Sequence, residues 1–178
     1  MARSLVILAG LLGTALLLVD AGSICPTYWT EFREHCYRHF SRQGTWREAE
    51  THCQSYALPS AGDCSTYTIA HLASILSQEE QDFVYTFFDT NANAETDARL
   101  WIGFNNVYED GGNFEWSDGT ISFPPYTNWR GPNPDDADDD SCALIPLSSH
   151  YRNSWNAVAC NTATTVRHFI CKGPARTI

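Results

Sequence analysis

Lysine is nearly missing from this chain. Lys172 is the only one among eleven basic residues, and they face twenty-one acids for a net charge of −10. That balance argues against nucleic acid as a partner, because neutralising phosphates needs clustered Lys and Arg. No Asn-x-Ser/Thr sequon occurs, so no N-glycan is expected. No internal repeat or linker divides the sequence. It has no serine-nucleophile motif, no metalloprotease helix and no phosphate loop, and the reading is of a protein that is not an enzyme.

Only one long apolar run is present. Leu5–Val19 is broken only by small residues and Thr14, follows a positive Arg3, and leads to the small residues Val19 and Ala21. This is the grammar of a secretion signal over residues 1–21, and the run is shorter than the ~20 apolar residues of a spanning helix. The expected mature chain, 22–178, has 178 − 21 = 157 residues, enough for one domain with a full core. An extracellular protein without a membrane span is expected.

Cysteine, in contrast, is plentiful: Cys25, Cys36, Cys53, Cys64, Cys142, Cys160 and Cys171 all lie beyond the signal. Export to an oxidising compartment implies a disulfide framework, and seven is odd, so at least one cysteine is free or bonded to another molecule. Spacing alone leaves fifteen pairings open for any six.

Along the chain, Cys25–Phe40 reads as two short strands. Thr45-Trp46-Arg47-Glu48 is a capping box opening an amphipathic helix that should end near Ala57 and Pro59, and 58–67 reads as a loop. Ser77-Gln78-Glu79-Glu80 forms a second capping box, followed by Phe83, Val84, Phe87 and Phe88 on one face. Beyond Leu100 come short strands: LWIGF, NFEW, SCALI, SWNAV and RHFICK. Two helices followed by a strand-rich half indicate an α+β domain.

The ordered motifs CPTYWTEFREHCYRHF, TWREAETHC, AHLASILSQEEQDF, LWIGF, FEWSDGT, NW, PN, WN and FIC, with their intervening cysteines, resemble the C-type lectin domain family across essentially the whole mature chain. The resemblance implies a C-type lectin-like double-loop domain of the long form, with two helices, short antiparallel sheets and three intrachain disulfides. The implied pairs are Cys25–Cys36, Cys53–Cys171 and Cys142–Cys160, which leave Cys64 over. Cys64 would be either a buried or capped thiol or the link in a disulfide-bonded homodimer.

The family also implies Ca2+ and sugar at the long loop. Calcium takes roughly six to eight oxygen ligands, and two sugar hydroxyls can complete the shell. Where the family carries Glu-Pro-Asn or Gln-Pro-Asp, this chain has Gly131-Pro132-Asn133, with a cis bond expected before Pro132; where it carries Trp-Asn-Asp, this chain has Trp155-Asn156-Ala157. Asn133, Asp140 and Asn156 remain as matched metal and sugar ligands, and only Asp140 is charged. Affinity follows ligand charge, so the site is incomplete and should hold calcium weakly. Asp135, Asp136, Asp138 and Asp139 could add charge. An auxiliary calcium position is likewise depleted, with Asn106 and Ser141 in place of acids and Glu109 and Asp110 nearby. Tyr151 and Arg152 are candidate sugar contacts, whereas the tryptophans should pack the core. His35 and His39 should lie on a solvent-facing strand edge and not bind zinc.

The expected function is a secreted carbohydrate-binding lectin whose partners are glycans or glycoproteins. The alternative is a lectin-like structural or matrix protein whose aspartates bind mineral calcium or a protein partner.

Overall fold

Thr45 caps helix α1 (Trp46–Gln54) on both sides of the box: its hydroxyl accepts from Glu48 N, and its own N–H donates to Glu48 Oε2 at 2.8 Å. In this computed structural model, residues 23–177 are described except 61–64, 94, 108–112, 135–140, 148–152 and 163–165. The expected secretion signal and Cys64 lie outside the described residues. Helix α1 stops at Gln54, earlier than expected, because Ser55 caps it with its N–H and Oγ both bonded to His52 O. The chain then turns directly into β4 (Ala57–Pro59), which pairs with β5 (Tyr67–Ile69). Both ends of the expected loop are therefore paired strand, anchored by buried Leu58, which packs against Gly173.

Helix α2 (Gln78–Asn91) starts at Ser77, whose hydroxyl accepts from Glu80 N. The second capping box is only half formed. Glu80 does not return to the cap; its carboxylate accepts from Leu76 N, Tyr37 Oη and Lys172 Nζ. A buried charge 92 positions away in sequence wins over the local bond, as the desolvation cost of unpaired charges requires.

The main sheet runs β10 (Asn156–Ala159), β9 (Ser141–Pro146), β7 (Arg99–Asn105), β11 (His168–Pro174), β3 (His35–Ser41), β2 (Thr30–Phe32). Two short strands, β6 (His71–Leu72) and β8 (Glu115–Trp116), attach to β11 and β7. The β7–β11 pair is parallel and the rest are antiparallel. A separate ribbon joins β1 (Ser23–Ile24) to β12 (Arg176–Thr177).

Alternation along the central strands builds two apolar layers. Leu100, Ile102, Phe104, Ala143, Ile145 and Ile170 face the α2 side; Trp101, Cys142, Leu144, Phe169 and Cys171 face the α1 side. The tryptophans do pack, and the indole N–H groups of the three that are fully buried are satisfied: Trp46 donates to Ile102 O, Trp101 to Gly44 O and Trp155 to Gln81 Oε1. Gly103 sits where a side chain would fall 2.7 Å from Leu72 O, so the motif needs glycine for close backbone approach. The three disulfides join Cys25 to Cys36, Cys53 to Cys171 and Cys142 to Cys160.

One expectation fails here. Strand β3 is not a sheet edge, since it is flanked by β11 and β2. His35 and His39 are half-buried, and His39 stacks on His168 with its Nε2 3.1 Å from His168 Nδ1. Burial and the neighbouring imidazole lower the His39 pKa to about 4.

Candidate functional site

The long loop is tied to β10 before any ligand is considered. Trp129 and Trp155 form a parallel bridge: Trp155 N donates to Asn128 O at 2.8 Å and Arg130 N to Trp155 O at 2.9 Å. Trp155 is fully buried against Trp129, Phe104, Trp116 and Tyr126, so the bridge rests on the aromatic core. Burial, followed by the charges of Asp82 and Glu79, pushes the Tyr126 hydroxyl up to about 12. Asn153, at φ 62°, shapes the approach to Trp155. Its carbonyl accepts from Asn128 Nδ2, and its side chain accepts from Gln81 Nε2 at 2.6 Å and donates to Asp82 Oδ1 at 2.7 Å.

After Arg130 the chain reverses. The Gly131–Pro132 and Asn133–Pro134 peptides are both cis, and Asn133 N donates back to Arg130 O. Asn133 then reaches β10, where its Oδ1 accepts from Ala157 N at 2.9 Å. Neighbouring Asn156 has its Oδ1 buried with no hydrogen-bond donor among the described residues. The two asparagines singled out in the sequence are thus brought to one place. Asp140, Tyr151 and Arg152 lie outside the described residues, as do the other loop aspartates and Glu109 and Asp110.

Calcium can be tested against these groups. A buried acceptor without a donor is costly unless something positive satisfies it, so Asn156 Oδ1 suits a cation. Asn133 Oδ1 already holds one N–H but keeps a second lone pair. Ala157 contributes no side-chain oxygen, and Gly131 contributes none either. Two neutral amides fit calcium in kind but supply no charge, so any such site depends on the loop carboxylates. At the auxiliary position, buried Asn106 accepts from Ser141 N at 2.6 Å through its Oδ1 and donates its backbone N–H to Ser141 O. Among the described residues no cluster of three or more His, Cys, Asp or Glu side chains is arranged to hold a metal.

Two residues near this site carry no motif. Arg99, at the start of β7, and Arg130, before the reversing turn, line the same cleft as Asn156. No spacing rule could pair them. The strand register and the Trp129–Trp155 bridge bring them together.

This architecture and loop define a class. The Lectin C-type domain family model matches residues 42–173, and the chain belongs to the C-type lectin family. Echinoidin of Heliocidaris crassispina is 39% identical over 151 residues, which cover 84% of this chain and 97% of echinoidin. The alpha-N-acetylgalactosamine-specific lectin of Patiria pectinifera is 35% identical over 157 residues, 86% of this chain and 84% of that lectin. Among solved structures, the C-type lectin CEL-I from Cucumaria echinata superposes with a TM-score of 0.66 at 30% identity, over 83% of this chain and 96% of CEL-I. These relatives are lectins, which leaves the matrix-protein alternative without support.

Proposed function

We propose that this protein is a secreted single-domain lectin, spanning 22–178 after removal of residues 1–21, that binds glycans or glycoproteins at the face formed by the 128–133 turn and β10. Asn133, Asp140 and Asn156 would hold calcium and hydrogen-bond the sugar, with Tyr151 and Arg152 as further sugar contacts. Calcium, when bound, supplies direct coordination of two neighbouring sugar hydroxyls. The chain's own part is to fix the amides: Asn133 is locked to Ala157 N, and Asn156 is held by the first pairing of β10 on β9. Acting by binding without catalysis fits this arrangement, and a relative at 35% identity, that of Patiria pectinifera, is an alpha-N-acetylgalactosamine-specific lectin.

The observation that carries the reading is the buried Oδ1 of Asn156, without a donor among the described residues, next to the Asn133–Ala157 bond. No helix among the described residues is long and apolar enough to cross a membrane, which is compatible with export. The loss of two oxygens makes a single site weak, and a disulfide-linked homodimer through Cys64 would compensate by avidity.

A glycan array probed with and without a calcium chelator tests the proposal. Signals that fall on chelation and with Asn156→Ala support it. A blank array overturns carbohydrate binding, and signals unmoved by the chelator overturn the role of the metal.

A further inference from the structure

Two asparagine side chains close the candidate site into a ring. The turn segment 128–133 and the strand segment 153–157 run in the same direction, bridged at Trp129 and Trp155. At one end Asn133 Oδ1 accepts from Ala157 N; at the other Asn128 Nδ2 donates to Asn153 O. Asn133 and Asn156 both belong to this ring, so their spacing depends on how it is closed.

The Asn153 end is clasped by helix α2. Asn153 holds φ at 62°, a left-handed conformation that Asn tolerates better than most residues. Its Oδ1 accepts from Gln81 Nε2 at 2.6 Å, and its Nδ2 donates to Asp82 Oδ1 at 2.7 Å. Gln81 is fully buried, and its Oε1 accepts from the Trp155 indole at 2.7 Å. Gln78, three residues earlier on the same helix face, takes hold of the other segment. Its Oε1 accepts from Tyr126 Oη at 3.1 Å, and its Nε2 donates to Asp82 Oδ1 at 2.9 Å. One face of α2 therefore grips both segments that lead into the site.

Hydrogen bonds of this kind add little net stability, because each buried amide first loses its water. What they add is direction. Both ends of the Gln81 amide are committed to residues just before Asn156, so any slip of the entry to β10 leaves buried polar groups unpaired. The clasp thus admits one placement of the ring.

We propose that Asn153 is a positioning residue of the calcium site, carrying the fixed geometry of helix α2 into the ring that holds Asn133 and Asn156. The proposal rests on the calcium-binding reading above and adds to it the residue that orients the ligands. Groups that orient metal ligands from outside change metal affinity roughly 10–100-fold when removed.

The test follows the side-chain amide NMR signals of Asn133 and Asn156 in the full secreted protein while calcium alone is titrated in, beside thermal melting. Asn153→Gly keeps the left-handed backbone and removes only the clasp. Gln81 Nε2 retains its 3.4 Å contact to the residue 153 carbonyl, and exposed Asp82 is taken up by water, so melting should fall only modestly. Calcium affinity should fall about tenfold or more, and the amide signals should already be shifted before calcium is added. Asn153→Asp sets a second carboxylate against Asp82 and should weaken calcium likewise. Adding Asp82→Asn exchanges donor and acceptor and should recover the affinity; this pair decides alone if the glycine variant does not fold. Affinity that merely follows melting temperature across the variants, or amide signals and affinity unmoved by Asn153→Gly, overturns the positioning role and leaves the calcium reading standing. Wild-type amides that do not respond to calcium overturn both.

Discussion

Lys172 donates to Glu80 at 2.6 Å with both side chains buried, joining β11 to the first turn of α2. Its other donors reach Ser74 O and Ser74 Oγ, and Ser74 Oγ in turn donates to Asp118. The one lysine of the chain is thus a structural cation. Removing one partner of a buried pair leaves an uncompensated charge, so Lys172→Met should cost about 3–5 kcal/mol in urea unfolding. Adding Glu80→Gln should recover at least ~1 kcal/mol by discharging the stranded carboxylate while keeping hydrogen-bonding capacity. A double variant no more stable than the single would show that charge is not the issue.

The His39 imidazole predicts acid sensitivity. Burial and His168 hold its folded pKa at about 4, below the ordinary 6.5. Between those values the unfolded chain binds the proton and the folded chain does not, so stability is full above 6.5 and is lost as pH falls toward 4. With its partial exposure discounted, the loss should be on the order of 1–2 kcal/mol. Melting temperature against pH should show it, and His39→Phe should flatten that limb. His71 acts in the opposite sense: its hydrogen bond to Glu50 raises its pKa, so its contribution is present below 6.5 and lost as pH rises through the folded value.

Cys53–Cys171 closes 118 residues and Cys25–Cys36 only 11. Loop-closure entropy makes the first worth roughly 5 kcal/mol and the second roughly 3. Denaturant midpoints of the two paired alanine variants should follow that order. In the same preparations, non-reducing electrophoresis should show a dimer that Cys64→Ser converts to monomer; an all-monomer wild type rules out the link.

Restoring the absent oxygens should tighten calcium. A Cβ at Gly131 would meet nothing within 4 Å among the described residues, so Gly131→Glu should leave melting nearly unchanged. Combined with Ala157→Asp it should strengthen calcium binding by roughly tenfold or more in calorimetry, because affinity follows ligand charge. No tightening would place the calcium ligands elsewhere.

How far the sequence carries depends on the range of the interaction. The Thr45–Glu48 box was legible because all its partners lie within four residues. The Ser77–Glu80 box misled because Glu80 answers to Lys172 and Tyr37, which local spacing does not show. The pairing of β4 with β5 was hidden by Pro59 within the strand and by the Gly, Ser and Asp that follow it in sequence, and the interior position of β3 by the histidines on it. At the site, Asn133 and Asn156 could be found through motif order. Arg99 and Arg130 could not, since only the register of β7 on β9 and the tryptophan bridge make them neighbours.

The ribbon of residues 23–24 with 176–177 has a practical consequence. Strand β11 starts beside Leu100 and runs seven residues to Pro174, so this ribbon lies roughly 20 Å along the sheet from the Arg99 end. A bead, label or fused module attached beside residues 23–24 or 176–177 would therefore hold the domain by the end away from the start of β7 and the cleft beside it.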